Sequence, residues 1–205
     1  LHKEYRRQRQ MCIRDRGGTK VDDGHRKMVD VVDNHGADII CAQECFKDCA
    51  QAVFAETGYR HAQQDFDCSV STRFDVDLID TPTAPFATAA WVQVPTEHQK
   101  TRRVLVWSVH LAPWDYGPYA ALNGEDPAVI NVQPEERQRQ EQITQILELT
   151  AQLAEPEEPV IIAGDFNSPA TLDWTQRSDL PDYQWLPTDA PLKACLLYTS
   201  PSPRD

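Results

Sequence analysis

Three short apolar runs, each ended abruptly by polar residues, are the feature of this sequence that most limits its fold. They lie within ADIICAQE, over residues 103–111 and over residues 159–164. Runs of this length that are rich in Val and Ile predict buried strands. Residues 64–71 and 87–94 predict two further strands, with a proline-containing loop between them.

Helical patterns alternate with these strands. One helix is predicted over residues 24–35, with Gly36 as its C-terminal cap, and another over residues 46–57, stopped by Gly58. A third helix begins at Pro134, after a long predicted loop over residues 112–133. Because some strands follow one another without a helix, the order favours a mixed, layered α/β fold in a single domain.

The two ends of the chain differ in composition from the middle. Residues 1–16 are basic and contain MCIRDR, and residues 195–205 contain LLYTSPSPRD. Both strings resemble translated sequencing-adapter sequence, so we expect neither to be native protein. The alternatives are a basic disordered arm and a frayed tail. The predicted domain therefore spans residues 17–194.

The charge of the chain limits its partners. The chain has 20 basic residues (Lys and Arg) and 32 acidic residues (Asp and Glu). Seven of the basic and three of the acidic residues lie in the two ends, so the middle has 13 basic and 29 acidic residues. A net charge of −12, or −16 for the middle alone, repels a polyanion at long range. A phosphorylated small-molecule or lipid-linked substrate is therefore favoured over nucleic acid. No apolar run approaches the length of a membrane span. We also expect the protein to be a monomer.

Four cysteines remain in the middle, and no CxxC pair occurs among them, so the sequence does not favour a structural zinc site. We expect buried free thiols, with a Cys45–Cys49 or Cys41–Cys68 disulfide as the alternatives. The compartment, cytoplasmic or secreted, stays open.

The polar residues that end the three runs point to chemistry. Glu44 follows the first run, His110 ends the second, and Asp165 and Asn167 follow the third. Strand ends are rigid positions beside loops, where functional sites commonly lie. Carboxylate, imidazole and amide groups together suit phosphoester hydrolysis with a hard metal ion, since Mg²⁺ prefers oxygen ligands and needs only one or two carboxylates.

These segments also resemble a known family. ADIICAQE is similar to a family strand that ends in Gln-Glu, VWSVHL to one that ends in His-Leu, and PVIIAGDFNSP to a Gly-Asp-Phe-Asn motif. Arg137-x-x-Gln140 and Ser71-Thr72-Arg73-Phe74 fit weaker patterns. In this order, across about residues 17–185, they resemble the endonuclease/exonuclease/phosphatase superfamily. The resemblance implies a DNase I-like two-sheet β-sandwich flanked by helices.

The resemblance also implies roles. Glu44 is expected to bind Mg²⁺ or Mn²⁺, and Asp165 to orient or deprotonate the attacking water. Asn167 and His110 are expected to donate hydrogen bonds to phosphate oxygens. From the residues alone, Glu44 could be an exposed acid, His110 a core histidine, and Asp165 and Asn167 caps of a turn. Trp114 either lines the pocket or packs the loop.

The sequence departs from the family at both ends. The family's first strand, which carries an Asn near the metal, should precede Gly17, where the adapter-like sequence stands. The family ends with an Asp-His pair, which nothing after Leu192 supplies. We therefore expect an incomplete sandwich that lacks the first and the C-terminal strands. The parent protein is predicted to be a phosphomonoesterase or phosphodiesterase, and this chain to be nearly inactive. A nuclease and a non-catalytic binding protein of the same fold are the alternatives.

Overall fold

The computed structural model describes residues 21–46, 48–96, 100–114 and 134–168. The elements in chain order are α1 (Gly24–His35), β1 (Ile39–Ala42), α2 (Cys49–Glu56), β2 (Arg60–Gln63), β3 (Ser69–Thr72), β4 (Asp75–Ile79), β5 (Ala87–Pro95), β6 (Thr101–His110), α3 (Pro134–Leu153) and β7 (Val160–Asp165). Both predicted ends of the chain, and loop residues 115–133, lie outside the described residues.

The strands form two sheets, as the DNase I-like prediction requires. One sheet has the order β1-β3-β2 with antiparallel pairing, and the other has the order β4-β5-β6-β7. β4, β5 and β6 are antiparallel. The bonds from Leu105 N–H to Pro159 O and from Leu111 N–H to Asp165 O advance in step along both strands, so β6 and β7 run parallel.

The chain divides into two compact units. The first comprises Leu1–Val109 and Ala154–Gly164, and the second His110–Leu153 and Asp165–Asp205. That residues 17–194 belong to a single domain of the predicted fold stays a prediction.

The core of the first unit lies between the two sheets. Val70 of β3, Val92 of β5 and Val106 of β6 are fully buried in one apolar cluster. Burying each such side chain contributes roughly 1.5–3 kcal/mol, so the sandwich is held mainly by this layer. A second cluster joins α1, β1 and α2, with Val53 and Phe54 at its centre.

Both helices of the first unit form near their predicted positions. α1 has the predicted bounds, and Gly36, at φ 58°, donates its N–H to Val32 O as the predicted cap. α2 begins at Cys49, three residues later than predicted, and ends before Gly58. The second unit contains α3, which begins at Pro134 as predicted and buries Ile143 and Ile146.

Three predictions about the strands are wrong. Residues 64–68 form a turn between β2 and β3, so the strand predicted over residues 64–71 is only half formed. β4 occupies a segment predicted as loop, because its alternating acidic and apolar residues mark a half-exposed strand and the prolines come only afterwards. β7, predicted to be buried, leaves Ile161 40% exposed. It is the last strand of its sheet within the described residues.

Candidate functional site

The polar ends of β1 and β6 are joined within the first unit. Gln43 Nε2 donates to Ser108 Oγ over 3.0 Å, and Ser108 Oγ donates to Ala42 O over 3.1 Å. Ser108 is fully buried, so these bonds form in a poorly solvated place where losing one partner is costly. Gln43 and Ser108, polar residues near the ends of β1 and β6, are therefore in direct contact.

Glu44 follows directly in an uncommon backbone conformation. Its φ is 59°, in the left-handed region that a Glu rarely adopts. Its N–H donates to Asp67 Oδ1 over 2.8 Å, and the next N–H, of Cys45, donates to Asp67 O over 2.9 Å. Asp67 therefore fixes the direction in which β1 delivers the predicted metal ligand.

The ends of β6 and β7 meet in the second unit. Leu111 N–H donates to Asp165 O over 2.9 Å, and Asn167 Nδ2 donates to Leu111 O over 2.8 Å. Asn167 has φ 47° and is 7% exposed. Its own N–H donates to Asp165 Oδ1 over 2.9 Å. Asp165 and Asn167 are thus locked onto the residue that follows His110, which is itself half-buried.

Asp165 and Asn167 form the turn cap that their sequence positions allowed as an alternative to a catalytic role. Asp165 accepts the N–H two residues ahead, as capping aspartates do. Asn167 donates one hydrogen of its side-chain amide to the carbonyl oxygen of Leu111. A cap and a catalytic role are compatible, because a carboxylate with one oxygen in a turn is already oriented by it. The catalytic roles of His110, Asp165 and Asn167 stay predictions.

Gly164 explains why a glycine precedes Asp165. Its φ is 146°, and a Cβ there would overlap the carbonyl oxygen of Val109 and lie 2.8 Å from its nitrogen. Only glycine lets the two strand backbones approach this closely. The Gly-Asp-Phe-Asn motif is thus a packing requirement at its first residue and a turn requirement at its second and fourth.

Sequence reasoning missed Arg139 and Gln142 on α3. Arg139 is fully buried, and its Nη1 donates to Ala112 O over 2.7 Å and to Trp114 O over 3.0 Å. Gln142 Oε1 accepts the N–H of Ala112 over 2.9 Å. Arg137, in the pair singled out from the sequence, is exposed. The Arg-x-x-Gln spacing recurs two residues later, and the inward helix face would have identified it.

Trp114 is 74% exposed, and the rest of its loop, residues 115–133, lies outside the described residues. Its carbonyl, rather than its ring, makes the contact with Arg139. The backbone after β6 is therefore fixed by α3 up to this point. Gln142 and Arg139 hold the segment that leads away from His110.

Each of the two units, taken by itself, supplies carboxylates that could bind a metal. Glu44 and Asp67 adjoin in the first unit, and Asp165 lies in the second. The part of the chain that the structure describes contains no group of three or more His, Cys, Asp or Glu with metal-binding geometry. Mg²⁺ is commonly held by one or two carboxylates, with waters and substrate oxygens as its other ligands, so oxygen donors of this kind fit it.

The thiols do not compete for this role. Within the described residues, Cys41, Cys45, Cys49 and Cys68 form no disulfide bond, and Cys45 and Cys68 are buried, as predicted for those two. Burial raises the pKa of Cys41 and of Cys45 to about 12. Both are therefore protonated at neutral pH, whereas a nucleophile or metal ligand must be a thiolate.

Comparison with known proteins gives two findings. The model of the Endonuclease/Exonuclease/phosphatase family matches residues 15–203. An uncharacterized protein of Caenorhabditis elegans is 26% identical over 179 residues, which cover 82% of this chain and 56% of that protein. The chain thus spans little more than half the length of this relative. Among the described residues, no helix is both long and apolar enough to span a bilayer.

Proposed function

The chain belongs to the endonuclease/exonuclease/phosphatase family, and from this membership we propose that its protein hydrolyses phosphoesters with Mg²⁺ or Mn²⁺. The proposed substrate is a phosphomonoester or phosphodiester on a small or lipid-linked molecule. The acidic charge of the chain favours such a substrate over nucleic acid, because a net charge of −12 repels a polyanion.

The observation that carries this proposal is the joined end of β6 and β7. Asn167 bonds to Leu111 O and Asp165 bonds to the Asn167 N–H, so an imidazole, a carboxylate and an amide are delivered by rigid strand ends. Fixed polar groups lose little further freedom when a transition state forms beside them.

Each residue has a proposed role. Glu44 holds the metal ion, which when bound offsets phosphate charge and polarises a phosphoryl oxygen. Asp165 orients a water and accepts its proton as the water attacks phosphorus in line with the leaving group. His110 and Asn167 donate hydrogen bonds to phosphate oxygens. No covalent enzyme intermediate is involved.

The test is metal-dependent hydrolysis of p-nitrophenyl phosphate and bis-p-nitrophenyl phosphate by the full-length protein. Asp165→Ala is expected to lower kcat by about 10³-fold, the scale typical of a general base. Asp33→Ala, the same change on the exposed face of α1, is the matched control and should leave kcat unchanged.

No metal-dependent turnover by the folded, unmodified protein would show that it is a binding member of its family, and an unchanged kcat in folded Asp165→Ala would remove Asp165 from the mechanism. Activity restricted to DNA, with a steep salt dependence, would favour the nuclease alternative instead. Folding of each variant is checked by circular dichroism before its rate is interpreted.

A further inference from the structure

A cavity of about 590 Å³ lies in the first unit, between the edge strands of the two sheets. Its walls come from the start of α2, from β2, from the turn over residues 64–66 and from β4. This volume lies within the range of small-molecule pockets. None of the groups assigned to hydrolysis above lines it.

The β2 wall of the cavity is rigid. His61 bonds through Nδ1 to Ser71 Oγ over 2.8 Å and through Nε2 to Gln63 Oε1 over 3.0 Å. The other end of the Gln63 amide donates to Cys45 O. Gln64 bonds through both ends of its amide to Thr81. Walls that are already fixed lose little entropy when a ligand enters.

The remaining groups of the cavity are anionic, aromatic and aliphatic. Asp48 and Asp65 supply carboxylates, Phe66 supplies a ring that is 49% exposed, and Val76 and Leu78 supply an apolar floor. The Phe66 ring is held by stacking on Phe46, with centroids 5.8 Å apart.

Positive charge is lacking in this lining. The lining residues that the structure describes include no Lys or Arg. Burial lowers the pKa of His61, which is therefore neutral at pH 7. Among the described lining residues, an anion would meet two carboxylates and no Lys or Arg, whereas a positively charged ligand is attracted by both the carboxylates and the ring face.

The cavity wall is continuous with the strand end that carries Glu44. Asp67, directly after the lining turn, accepts the N–H of Glu44 over 2.8 Å, and Gln63 bonds to the carbonyl of Cys45. Hydrogen bonds therefore link the wall of the cavity to the segment that carries the proposed metal ligand.

We propose that this cavity binds an organic ammonium group, with its alkyl part on Val76 and Leu78 and its charge between Asp48, Asp65 and the Phe66 ring. If the proposed function holds, on which this step rests, an ammonium site here makes the substrate a phosphoester that carries a cationic head group. The acidic character of the protein then serves substrate choice as well as solubility.

Binding is measured first, without any catalytic step. Choline chloride is titrated into the ¹⁵N-labelled chain at constant ionic strength, and amide shifts are followed by NMR. Its neutral isostere, 3,3-dimethyl-1-butanol, is titrated in parallel. Choline is expected to shift the amides of residues 61–66 and to bind at least 5-fold more tightly than the alcohol. Equal affinities, or shifts that lie elsewhere, would overturn the proposal.

Variants then separate the cavity from general surface charge. Asp48→Asn combined with Asp65→Asn should weaken choline binding at least 10-fold and leave the alcohol unaffected, and Phe66→Leu should weaken it several-fold. Asp77→Asn is the matched control. Asp77 lies on β4 between the lining residues Val76 and Leu78, and strand alternation directs it to the opposite face. An equal loss in Asp77→Asn would reduce the effect to net charge and overturn the site.

Kinetics of the full-length protein test the link to hydrolysis. p-Nitrophenylphosphorylcholine and p-nitrophenyl 3,3-dimethylbutyl phosphate share a leaving group and differ only in the cationic centre. The choline ester is expected to have at least 5-fold higher kcat/KM, and the double Asn variant should abolish this ratio by raising KM.

The two ideas fail separately. Choline binding with no hydrolysis of either ester would refute the proposed function and leave the cation site standing. Hydrolysis of both esters at equal kcat/KM would refute the role of the cavity in substrate choice.

Discussion

The ends of β1 and β7 meet the same backbone requirement in different ways. Glu44 and Asn167 both adopt left-handed φ values just after a strand, and each donates its N–H to an aspartate oxygen. For Asn167 that aspartate is two residues away, whereas for Glu44 it is Asp67, 23 residues away. Asparagine also tolerates this conformation, whereas glutamate does not.

The contrast shows that one strand end is specified locally and the other through tertiary structure. The bond that supports the left-handed Asn167 spans only two residues, although its side chain also bonds to the distant Leu111 O. The β1 end depends on β2 and β3 being in place, because Asp67 lies in the turn between them. A left-handed Glu costs on the order of 1 kcal/mol or more, so the surrounding fold must hold it there.

The largest effect is expected at the end of β7, from Gly164→Ala, where the strand packs closely against Val109 of β6. The added Cβ would overlap backbone atoms of Val109, which cannot rotate away, so the free energy of unfolding should fall by about 3 kcal/mol. Gly58→Ala is the control, because Gly58 also has positive φ but nothing lies within 4 Å of the position that an added methyl group would occupy. It should cost only about 1–2 kcal/mol. Equal losses in urea denaturation would show that backbone conformation, and not close approach, makes Gly164 necessary.

The distant support of Glu44 is tested by Asp67→Ala. Losing the carboxylate removes the acceptor of the Glu44 N–H, so metal-dependent hydrolysis by the full-length protein should fall about 10–100-fold, as when groups that orient metal ligands are removed. Asp67→Asn keeps an oxygen acceptor and should retain most of the rate. A folded Asp67→Ala protein with full turnover would show that the β1 end holds its conformation unaided.

These two ends also explain what the sequence could predict. The cap at Gly36, the helix at Pro134 and the turn at Asp165 each depend on neighbouring residues, and their predicted positions are confirmed. The partner of Glu44 lies far along the chain and has no local signature. β4 was missed because half-exposed strands lack an apolar run.

Arg139 belongs to the same class of long-range features. Its bonds to the carbonyls of Ala112 and Trp114 cross more than 20 residues. Sequence spacing alone gave two possible Arg-x-x-Gln pairs, and only the packing of α3 decides which pair faces inward. The proposed roles of Glu44, His110, Asp165 and Asn167 stay predictions.

The same substitution at both left-handed positions gives a smaller, sharper test. Asn167→Gly keeps the permitted φ but loses the bond to Leu111 O, so it should lower the free energy of unfolding by about 1 kcal/mol. Glu44→Gly relieves an unfavourable φ in the folded state but raises the chain entropy of the unfolded state. Because these two effects oppose each other, the free energy of unfolding should change by less than about 0.5 kcal/mol. Thermal denaturation of both variants measures this. A larger loss at Glu44 than at Asn167 would reverse the proposed assignment of strain.

The smallest effect should be a pH dependence confined to the support of β1. Burial lowers the pKa of His61, and His61 holds Gln63, which bonds to Cys45 O beside Glu44. A lowered folded pKa means that the unfolded state takes up its proton first. Stability is therefore full above the unfolded pKa of about 6.5 and declines as pH falls towards the lower folded value. His61→Gln should flatten this slope in urea titrations between pH 7 and pH 5, whereas His35→Gln, on the exposed end of α1, should not. An unchanged slope of stability against pH in His61→Gln would show that another group causes the acid sensitivity. The support of the β1 end would then not depend on the protonation of His61.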